Sequence, residues 1–355
     1  MEGIDRKGRK KFLKKPVKPV EIKTNTSVDD LVRRMGDTAF QGRNLSTAVD
    51  VWEDMLTSNT TIFFGLAGAM VPAGMRELVV FLLKNRYIDC LVSTGANLFH
   101  DLHETLGCYH WQGTHQISDV DLKDVGIDRI YDVFAVEEEF NVADKYIYNF
   151  AEGLEARPYT TREFLHLLGR DLTKKGSAEG ILTAAAKAGV PVYCPAVADS
   201  SIGISLALKD GPDHLIFDMI GDVKETAEIA ARAKATGVIY VGGGTPKNFI
   251  QQTEVTATLQ CKDVEGHKYA IQITADAPHW GGLSGCTFEE AQSWGKISKK
   301  SSHATVNSDA TIALPIIVTA LAQRMKGKKR TAPKMDIGGS NKINKRIWEC
   351  PGFNK

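Results

Sequence analysis

The chain has 355 residues, 43% of them hydrophobic, so it can form one large or two smaller domains with a sizeable core. Its net charge of +1 excludes a strong bulk preference for nucleic acid or another anionic partner. Six scattered cysteines without a Cys-x-x-Cys pair, no leader pattern and no 18-residue apolar run predict a reduced, cytoplasmic protein that does not enter a membrane.

Basic residues are concentrated at the two ends of the chain. Eight of the first twenty residues are Lys or Arg, and the bias returns at 326–330 and 342–346. Most such tails are solvated, so we expect no nucleic-acid contact from either end. We predict a basic, flexible N-terminal arm at 1–26, a single α/β domain at 27–325 and a basic C-terminal tail at 326–355.

In chain order, one or two helices between Asp29 and Leu56 come first, and short β-rich runs then alternate with helical runs. The predicted strands are Thr61–Leu66, Ile88–Ser93, Val190–Cys194, Leu215–Met219, Val238–Val241 and Ala270–Thr274. The predicted helices are Gly74–Arg86, Leu98–Leu106, Thr161–Leu168, Ser177–Ala188, Val223–Ala235, Phe288–Ser293 and Ala310–Arg324. This alternation predicts an α/β fold with a doubly wound, mostly parallel sheet flanked by helices, which is Rossmann-like.

Three glycine-containing loops follow predicted strands, at 93–96, 199–203 and 242–245. In doubly wound sheets, ligands bind outside the carboxyl ends of the strands. Glycine lets the backbone approach a phosphate or a ring without a Cβ in between. None of these loops has the Gly-x-Gly-x-x-Gly pattern, so ligand-free turns explain them equally well.

The run Glu289–Ile297 places Lys296 beside an indole and a glycine, with two carboxylates upstream. Desolvation lowers the pKa of a lysine, and a neutral lysine amine forms imines with carbonyl or imine carbons. On spacing alone, a solvated lysine at a helix end, with Trp294 packed on the core, is the commoner arrangement.

The residue identities in this segment favour the interpretation of Lys296 as a reactive amine. Ser293-Trp294-Gly295-Lys296-Ile297, followed by Asn307-Ser308-Asp309-Ala310 and Leu314-Pro315, closely resembles the active-site segment of deoxyhypusine synthases. Over residues 28 to 325, other segments match in the family's order: Val92-Ser93-Thr94-Gly95, Cys194-Pro195-Ala196, Asp199 and Val241-Gly242-Gly243-Gly244. The resemblance implies a deoxyhypusine synthase fold with Lys296 as the catalytic residue.

The resemblance also implies NAD as cofactor. The matching contact positions are Thr94, Gly95, Asp199, Gly243, Gly244, Ser308 and Asp309. Other positions depart from the family: Gly68-Ala69 replaces a Ser-Asn pair, His100 a glutamate and Trp280 an aspartate. We therefore expect dinucleotide binding with altered contacts, and Asp276 is a candidate replacement acid.

The implied activity is transfer of a 4-aminobutyl group between polyamines. A carbon next to nitrogen loses a hydride to NAD, Lys296 attacks the resulting imine and a diamine leaves. An acceptor amine then displaces Lys296, and retained NADH reduces the new imine. Glu290, Trp294 and Asn248 are the expected substrate-binding residues, because an acid can bind an ammonium group and an indole can support a cation.

The donor pocket departs most from the family. In the family, two aspartates and a histidine help to hold the polyamine. Ile204, Leu283 and Asn248 occupy those positions here. Lys247, next to Asn248 in the sequence, is a further candidate for this pocket. An unpaired buried ammonium is costly, so the resemblance decides neither whether spermidine is the donor nor whether a protein lysine is the acceptor. Putrescine, a guanidino compound, or homospermidine synthase-type transfer to a free diamine are alternatives. The resemblance implies a homotetramer with active sites at dimer interfaces.

Two further interpretations remain. One is an inactive NAD-binding scaffold. The other is a metal-dependent enzyme, because one short segment is rich in metal-ligating side chains, although no standard motif matches and no metal is our primary expectation. These side chains are His100, His103, Cys108, His110 and His115, with Asp101 and Glu104 alongside.

Overall fold

A computed structural model of the chain describes residues 11–208, 215–260 and 262–333. Its largest sheet has six parallel strands in the order β11-β10-β9-β1-β2-β7. The strands are β1 Thr61–Leu66, β2 Cys90–Ser93, β7 Val192–Tyr193, β9 Thr236–Val241, β10 His267–Thr274 and β11 Ile297–Asn307. Numbered along the chain, this order is 6-5-4-1-2-3, which is the doubly wound arrangement with its switch point between β1 and β9.

Two small sheets lie beside it. One is antiparallel, in the order β3-β5-β4, and the other pairs β6 with β8 in parallel. Their strands are β3 Trp111–Gln112, β4 Ile127–Ile130, β5 Val133–Val136, β6 Pro158–Tyr159 and β8 Ile216–Phe217.

Helices connect and cover the strands. They are α1 Val28–Met35, α2 Phe40–Thr57, α3 Arg76–Lys84, α4 Gly95–Thr105, α5 Asp119–Asp124, α6 Glu137–Glu152, α7 Thr161–Lys175, α8 Ile181–Ala188, α9 Ser201–Ala207, α10 Met219–Arg232, α11 Gly244–Leu259, α12 Phe288–Ser293 and α13 Ala310–Arg324. A π-helical turn at Val71–Met75 precedes α3, and a 3-10 turn lies at Pro278–Trp280. No helix of the described ranges is long and apolar enough to cross a membrane.

The core lies on both faces of the six-stranded sheet. Every residue of β1 and of β9 is buried, as expected for central parallel strands that helices cover on both sides. Alternate side chains enter different apolar clusters: Phe64 and Ile239 pack in one, and Phe63 and Val238 in the other. The predicted doubly wound α/β fold is confirmed.

Three features of the sheets differ from the sequence prediction, and the first is that none of β3, β4, β5 and β6 was predicted. The strand expected at 215–219 forms only Ile216–Phe217 and pairs with Pro158–Tyr159 outside the main sheet. The 11-residue edge strand β11 was not predicted, because only Ile297, Ala304 and Val306 are buried along it and its other side chains are largely polar. The hydrophobic pattern of the sequence therefore did not predict the strand that follows Lys296.

The two ends of the described chain contact the body. Lys15 and Lys18 pair with Asp37, and Arg330 donates to the buried Asp89 carboxylate at 2.6 Å. The backbone is therefore anchored five residues beyond the predicted boundary at 325. Residues 1–10 and 334–355 of the predicted arm and tail lie outside the described residues, and the domain limits stay predictions.

Candidate functional site

A cleft opens at the carboxyl ends of the strands beside the switch point, with a volume of about 420 Å³. Its lining comes from the loops after β1 and β7, from the end of β2 and the first part of α4, from the start of α11, and from one residue of β4. The lining residues are Gly68, Ala69, Ser93, Thr94, Gly95, Ala96, His100, Ile130, Pro195, Ala196, Asp199, Thr245 and Pro246. The structure thus brings Asp199 to the same cleft as Thr94 and Gly95, from which it is far apart in the sequence.

Asn97 holds two walls of this cleft in place. It is buried, and its amide donates to the carbonyl of Gly68 at 2.7 Å and accepts from the Val71 amide at 3.2 Å. The same amide donates to Oγ1 of Thr94 at 3.1 Å. Because buried polar groups are costly to leave unpaired, these bonds fix the loop after β1 against α4. Sequence reasoning missed Asn97, although it lies two residues after the predicted Gly95.

Glycine is required where the walls of the cleft meet. A Cβ on Gly95 would lie 2.2 Å from Oγ of Ser200, and a Cβ on Gly243 would lie 2.4 Å from Cα of Ser284. Both approaches are too close for any side chain. The predicted glycines therefore serve to bring loops together at the rim.

The amino terminus of α11 also faces the cleft. Its N-cap residue is Gly243, which provides no side-chain hydrogen bond, and the first turn contains no acidic residue. The first amides of a helix lack partners within the helix, and the helix dipole places positive potential there. Since Thr245 lines the cleft, this end can bind an anionic group such as a phosphate.

Ser308 and Asp309 lie apart from that cleft. They follow the edge strand β11, two strands from β9, which is a separation of about 10 Å. The Ser308 amide donates to the Thr274 carbonyl, and Asp309 caps α13 by accepting from the Thr311 amide at 2.8 Å. The predicted cofactor residues therefore extend along the carboxyl edge of the sheet rather than converge in one pocket.

A second hollow of about 370 Å³ lies at this end of the sheet. Thr274 and Asn307 line it at the ends of β10 and β11, and Asp276 also contributes to it. The suggested replacement acid, Asp276, therefore lies in the loop after β10 and lines the same hollow as Asn307, which directly precedes Ser308.

Lys296 is placed by the end of α12. The helix stops at Ser293, and Gly295 takes a left-handed φ of 70°, which favours glycine at this position. The Lys296 amide then donates back to the Ala291 carbonyl. Its Nζ lies 3.4 Å from Oδ1 of Asn248 and 5.4 Å from the centre of the Trp294 ring. Three predicted residues thus converge on one amine.

Lys247, beside Asn248, is the lysine that is fully enclosed. Its side chain is 1% exposed, and its Nζ donates to Oε1 of Gln272 at 2.9 Å and to the Cys286 carbonyl at 2.6 Å. Burial lowers the pKa of Lys247 to about 8; Cys286 and Glu290 oppose that shift, while Lys296 reinforces it. Lys247 is thus a desolvated amine close to the predicted nucleophile.

The surroundings of Lys296 are open to solvent in the single chain. Trp294 is 68% exposed and Trp280 74%. Leu283 and Ile204, which stand at the altered donor positions, are also exposed, at 45% and 61%. These apolar side chains cannot pair with ammonium groups, whereas the Glu290 carboxylate acts electrostatically on Lys247.

The histidine-rich segment does not assemble the ligand set that its spacing suggested. Asp101 is fully buried and accepts hydrogen bonds from Arg76 and from the Ile181 amide. His115 instead stacks on Tyr131 with ring centres 5.1 Å apart. A metal site built on Asp101 and His115 is therefore wrong, because neither side chain faces the other histidines.

A different trio in this segment, His103, Cys108 and Glu139, brings possible ligand atoms within 4.8 Å of one another. However, Nε2 of His103 lies 3.4 Å from the Tyr109 carbonyl, and Glu139 accepts from the Tyr109 amide at 3.3 Å. Nδ1 of His103 is buried without a partner among the described residues, but Nε2 of His103 and the Glu139 carboxylate already contact Tyr109, so we assign no metal to the trio.

Comparison with known proteins adds independent findings. The family model described as deoxyhypusine synthase matches residues 30–321. "Probable deoxyhypusine synthase 2" of Methanosarcina mazei is 52% identical over 331 residues, which cover 92% of this chain and 96% of the relative. The protein of the same name from Archaeoglobus fulgidus is 54% identical over 290 residues, covering 81% of this chain and 95% of the relative.

A solved structure supports the fold. It is a crystal structure from Entamoeba histolytica that is provisionally assigned as a deoxyhypusine synthase, with a TM-score of 0.59 and 16% identity. The match covers 86% of this chain and 96% of that one. From the family match and the two archaeal relatives, we conclude that the chain belongs to the deoxyhypusine synthase family.

Proposed function

We propose that this chain is an NAD-dependent transferase that moves a 4-aminobutyl group between amines through a covalent imine on Lys296. Membership of the family supports aminobutyl transfer as the reaction class. The observation that carries the proposal is the convergence of Asn248 and Trp294 on Nζ of Lys296, directly beside the buried Lys247.

The cleft at the switch point fits a dinucleotide. The amino end of α11 offers positive potential to a phosphate, Thr94 and Asp199 offer polar groups to a ribose or an amide, and Gly95 allows close approach. NAD supplies a hydride acceptor and, later, a hydride donor when bound there. The Asn97 hydrogen bonds hold this cradle fixed before the cofactor arrives.

Lys296 acts as the nucleophile in this scheme. The neutral amine forms a bond to the imine carbon of the oxidised substrate, and the bond from that carbon to the departing diamine nitrogen breaks. The diamine leaves with the proton that Lys296 gives up, so that charge and atoms balance. The face of Trp294 supports the cationic adduct, and the Asn248 oxygen accepts from the lysine before attack.

The altered pocket favours a donor or acceptor with fewer charged nitrogens than spermidine. Ile204 and Leu283 offer no carboxylate, and Asn248 offers an amide in place of an imidazole. A homospermidine synthase-type transfer to a free diamine is the second candidate, because a free diamine demands fewer ionic contacts than a protein acceptor.

The exposed side chains near Lys296 support a homotetramer whose sites lie at dimer interfaces. Trp280 and Trp294 expose more than two thirds of their surface. A second copy that packs on them would bury apolar area and could supply the acidic groups missing here. Size-exclusion chromatography with light scattering tests the assembly directly.

Amine-dependent reduction of NAD tests the proposal. The full chain is incubated with NAD and, one at a time, putrescine, spermidine, homospermidine and agmatine, and NADH absorbance is followed. We expect NADH with at least one amine. An inactive scaffold would bind NAD and give no NADH with any of them, which would overturn the proposal.

A further inference from the structure

A chain of three titratable side chains runs from the cleft to the surface. His100 lines the cleft. Its Nδ1 lies 2.9 Å from Nε2 of His110, and Nδ1 of His110 lies 2.7 Å from Oε1 of Glu104. The Glu104 side chain is 23% exposed, whereas that of His110 is 5% exposed. The three groups thus connect the inside of the cleft with solvent.

The hydrogen bonds fix where the protons lie. Nε of Arg76 approaches the other oxygen of Glu104 at 3.6 Å, so both oxygens of this side chain face nitrogen donors and serve as acceptors. His110 must then donate from Nδ1, so its Nε2 carries a lone pair and accepts from Nδ1 of His100. Nε2 of His100 is the remaining ring nitrogen, and it presents a lone pair to the cleft.

The surroundings keep His100 uncharged. Burial lowers the pKa of His100 to about 3, and the nearby rings of His110 and His103 act in the same direction. The ring of Phe140, on α6, packs 5.6 Å from it. A proton that reaches Nε2 therefore cannot stay on the ring and must leave from Nδ1.

The other charged groups of this cluster lie one step further out. Glu139, on α6, faces His103 at 3.6 Å, and Arg76, on α3, binds Asp101 as well as approaching Glu104. Among these groups, Glu104 is the acid in direct contact with the pair formed by His100 and His110.

We propose that His100 takes the proton from the amine substrate, whose reacting carbon must approach the cofactor in this cleft, and that His110 and Glu104 carry it away. The inference rests on the proposed function, because an ammonium nitrogen has no lone pair to assist hydride loss from its neighbouring carbon. The probe is any amine that reduces NAD.

The transfer balances over three hydrogen bonds. The ammonium proton moves to Nε2 of His100, the Nδ1 proton of His100 moves to Nε2 of His110, and the Nδ1 proton of His110 moves to Glu104. The amine becomes neutral, Glu104 becomes a carboxylic acid, and both imidazoles end neutral in the opposite tautomer. Glu104, at the partly exposed end, exchanges protons with water, and the product amine takes one proton back along the same three hydrogen bonds, which restores both starting tautomers.

Groups closer to Lys296 are less suited to this task. Asn248, which contacts Lys296, has an amide that does not take up a proton near neutral pH. Lys247 donates to two carbonyl oxygens and is closed off from solvent. His100 is the imidazole among the residues that line the cleft.

The kinetic test measures single-turnover NAD reduction against pH in the full chain. His100→Ala is expected to lower the rate at neutral pH about 100-fold, and the rate should then rise towards alkaline pH as bulk water deprotonates the amine. Added imidazole should restore the rate, which a purely structural role of His100 would not allow. His115→Gln, an off-path histidine of the same segment, is the matched control and should keep the wild-type profile.

A second measurement reads the proton positions without turnover. Nitrogen-15 spectra of histidine-labelled protein should show the Nδ1–H tautomer for both His100 and His110. In Glu104→Gln the amide can donate to His110, so both rings should switch to the Nε2–H tautomer. An Nε2–H tautomer for either ring in the wild-type protein overturns the proposal.

The outcomes separate the two hypotheses. If the wild-type protein gives no NADH with any of the amines tested, the proposed function is contradicted. Wild-type protein that reduces NAD, together with a His100→Ala profile equal to that of His115→Gln, contradicts the proton path alone. Stoichiometric metal that is lost together with activity in His100→Ala would also overturn the path.

Discussion

The two ends of the candidate site are built in opposite ways. At the switch point, the buried Asn97 ties together the loop after β1 and Thr94, and Gly95 meets Ser200 closely. Around Lys296, in contrast, Trp294 and Leu283 are exposed, and the lysine has a single side-chain hydrogen bond at 3.4 Å. One end is a preformed cleft and the other is an open surface.

This difference predicts that a single chain can bind the cofactor but needs another surface to complete the substrate end of the site. A preformed cradle binds with little loss of conformational freedom, so cofactor binding should be a property of the single fold. A reactive amine on an open surface lacks the dry environment that strengthens electrostatic contacts. We infer that the substrate end is completed by another surface, and a second copy of the chain is the simplest candidate.

Loss of the nucleophile should give the largest effect and should separate the two ends. Lys296→Ala removes the amine but leaves the cradle intact, so we expect transfer to fall by roughly 10⁴-fold or more while NAD affinity stays the same. Calorimetric NAD titration beside product analysis measures both. A variant that loses both properties would show that the two ends are not independent.

A substitution in the cofactor cleft should instead weaken NAD binding. Asn97→Leu leaves the buried Val71 amide without a partner, at a cost of about 1–3 kcal/mol, and also removes the hydrogen bond to the carbonyl of the exposed Gly68. We expect weaker NAD binding and a lower free energy of unfolding in urea. Asn85→Leu is the surface control; an equal effect of both substitutions would contradict the role of Asn97.

The buried lysine predicts a pH dependence of stability. The pKa of Lys247 is about 8 in the folded chain and about 10.4 in an unfolded one, so the unfolded state binds more protons between these values. Stability conferred by this residue should rise with pH across that window, by up to about 1.4 kcal/mol per pH unit, and stay constant below it.

Urea unfolding of Lys247→Met beside wild type at several pH values isolates this contribution. The difference in free energy of unfolding should change in favour of wild type from pH 8 upward. Lys268→Met, at an exposed lysine, should show no such trend. A flat difference for Lys247→Met would contradict the enclosed amine.

The exposed indole should give the smallest effect. Trp294→Ala removes a cation–π contact of about 0.5–1 kcal/mol, so we expect amine affinity to fall only a few-fold. Trp294→Phe should recover part of it, and Trp111→Ala, at an exposed tryptophan elsewhere, should have no effect. A large loss of affinity would indicate that a partner surface encloses Trp294.

The sequence predicted the central fold well, because β1 and β9 are buried on both faces and read as apolar runs. It also proposed Lys296, Trp294 and Asn248 as site residues, and the structure brings their side chains together. Both predictions depend on local signals: apolar runs for strands, and a distinctive short segment for the lysine.

Long-range features escaped prediction for a physical reason. The edge strand β11 has too few buried positions to give a pattern, and Asn97 gains its importance only from the distant carbonyl of Gly68. The enclosed state of Lys247 depends on Gln272 and on the Cys286 carbonyl, which only the fold places around it. Spacing alone likewise could not show that Asp101 faces Arg76 instead of the histidines.

Trapping of the covalent intermediate tests the central claim most directly. The full chain is incubated with NAD and one amine, treated with borohydride, and analysed by intact mass and peptide mapping. The account predicts one stable adduct of aminoalkyl mass on Lys296, absent from Lys296→Ala, and its mass identifies the transferred group. An adduct that maps to Lys247, or no adduct although NADH is formed, would contradict it.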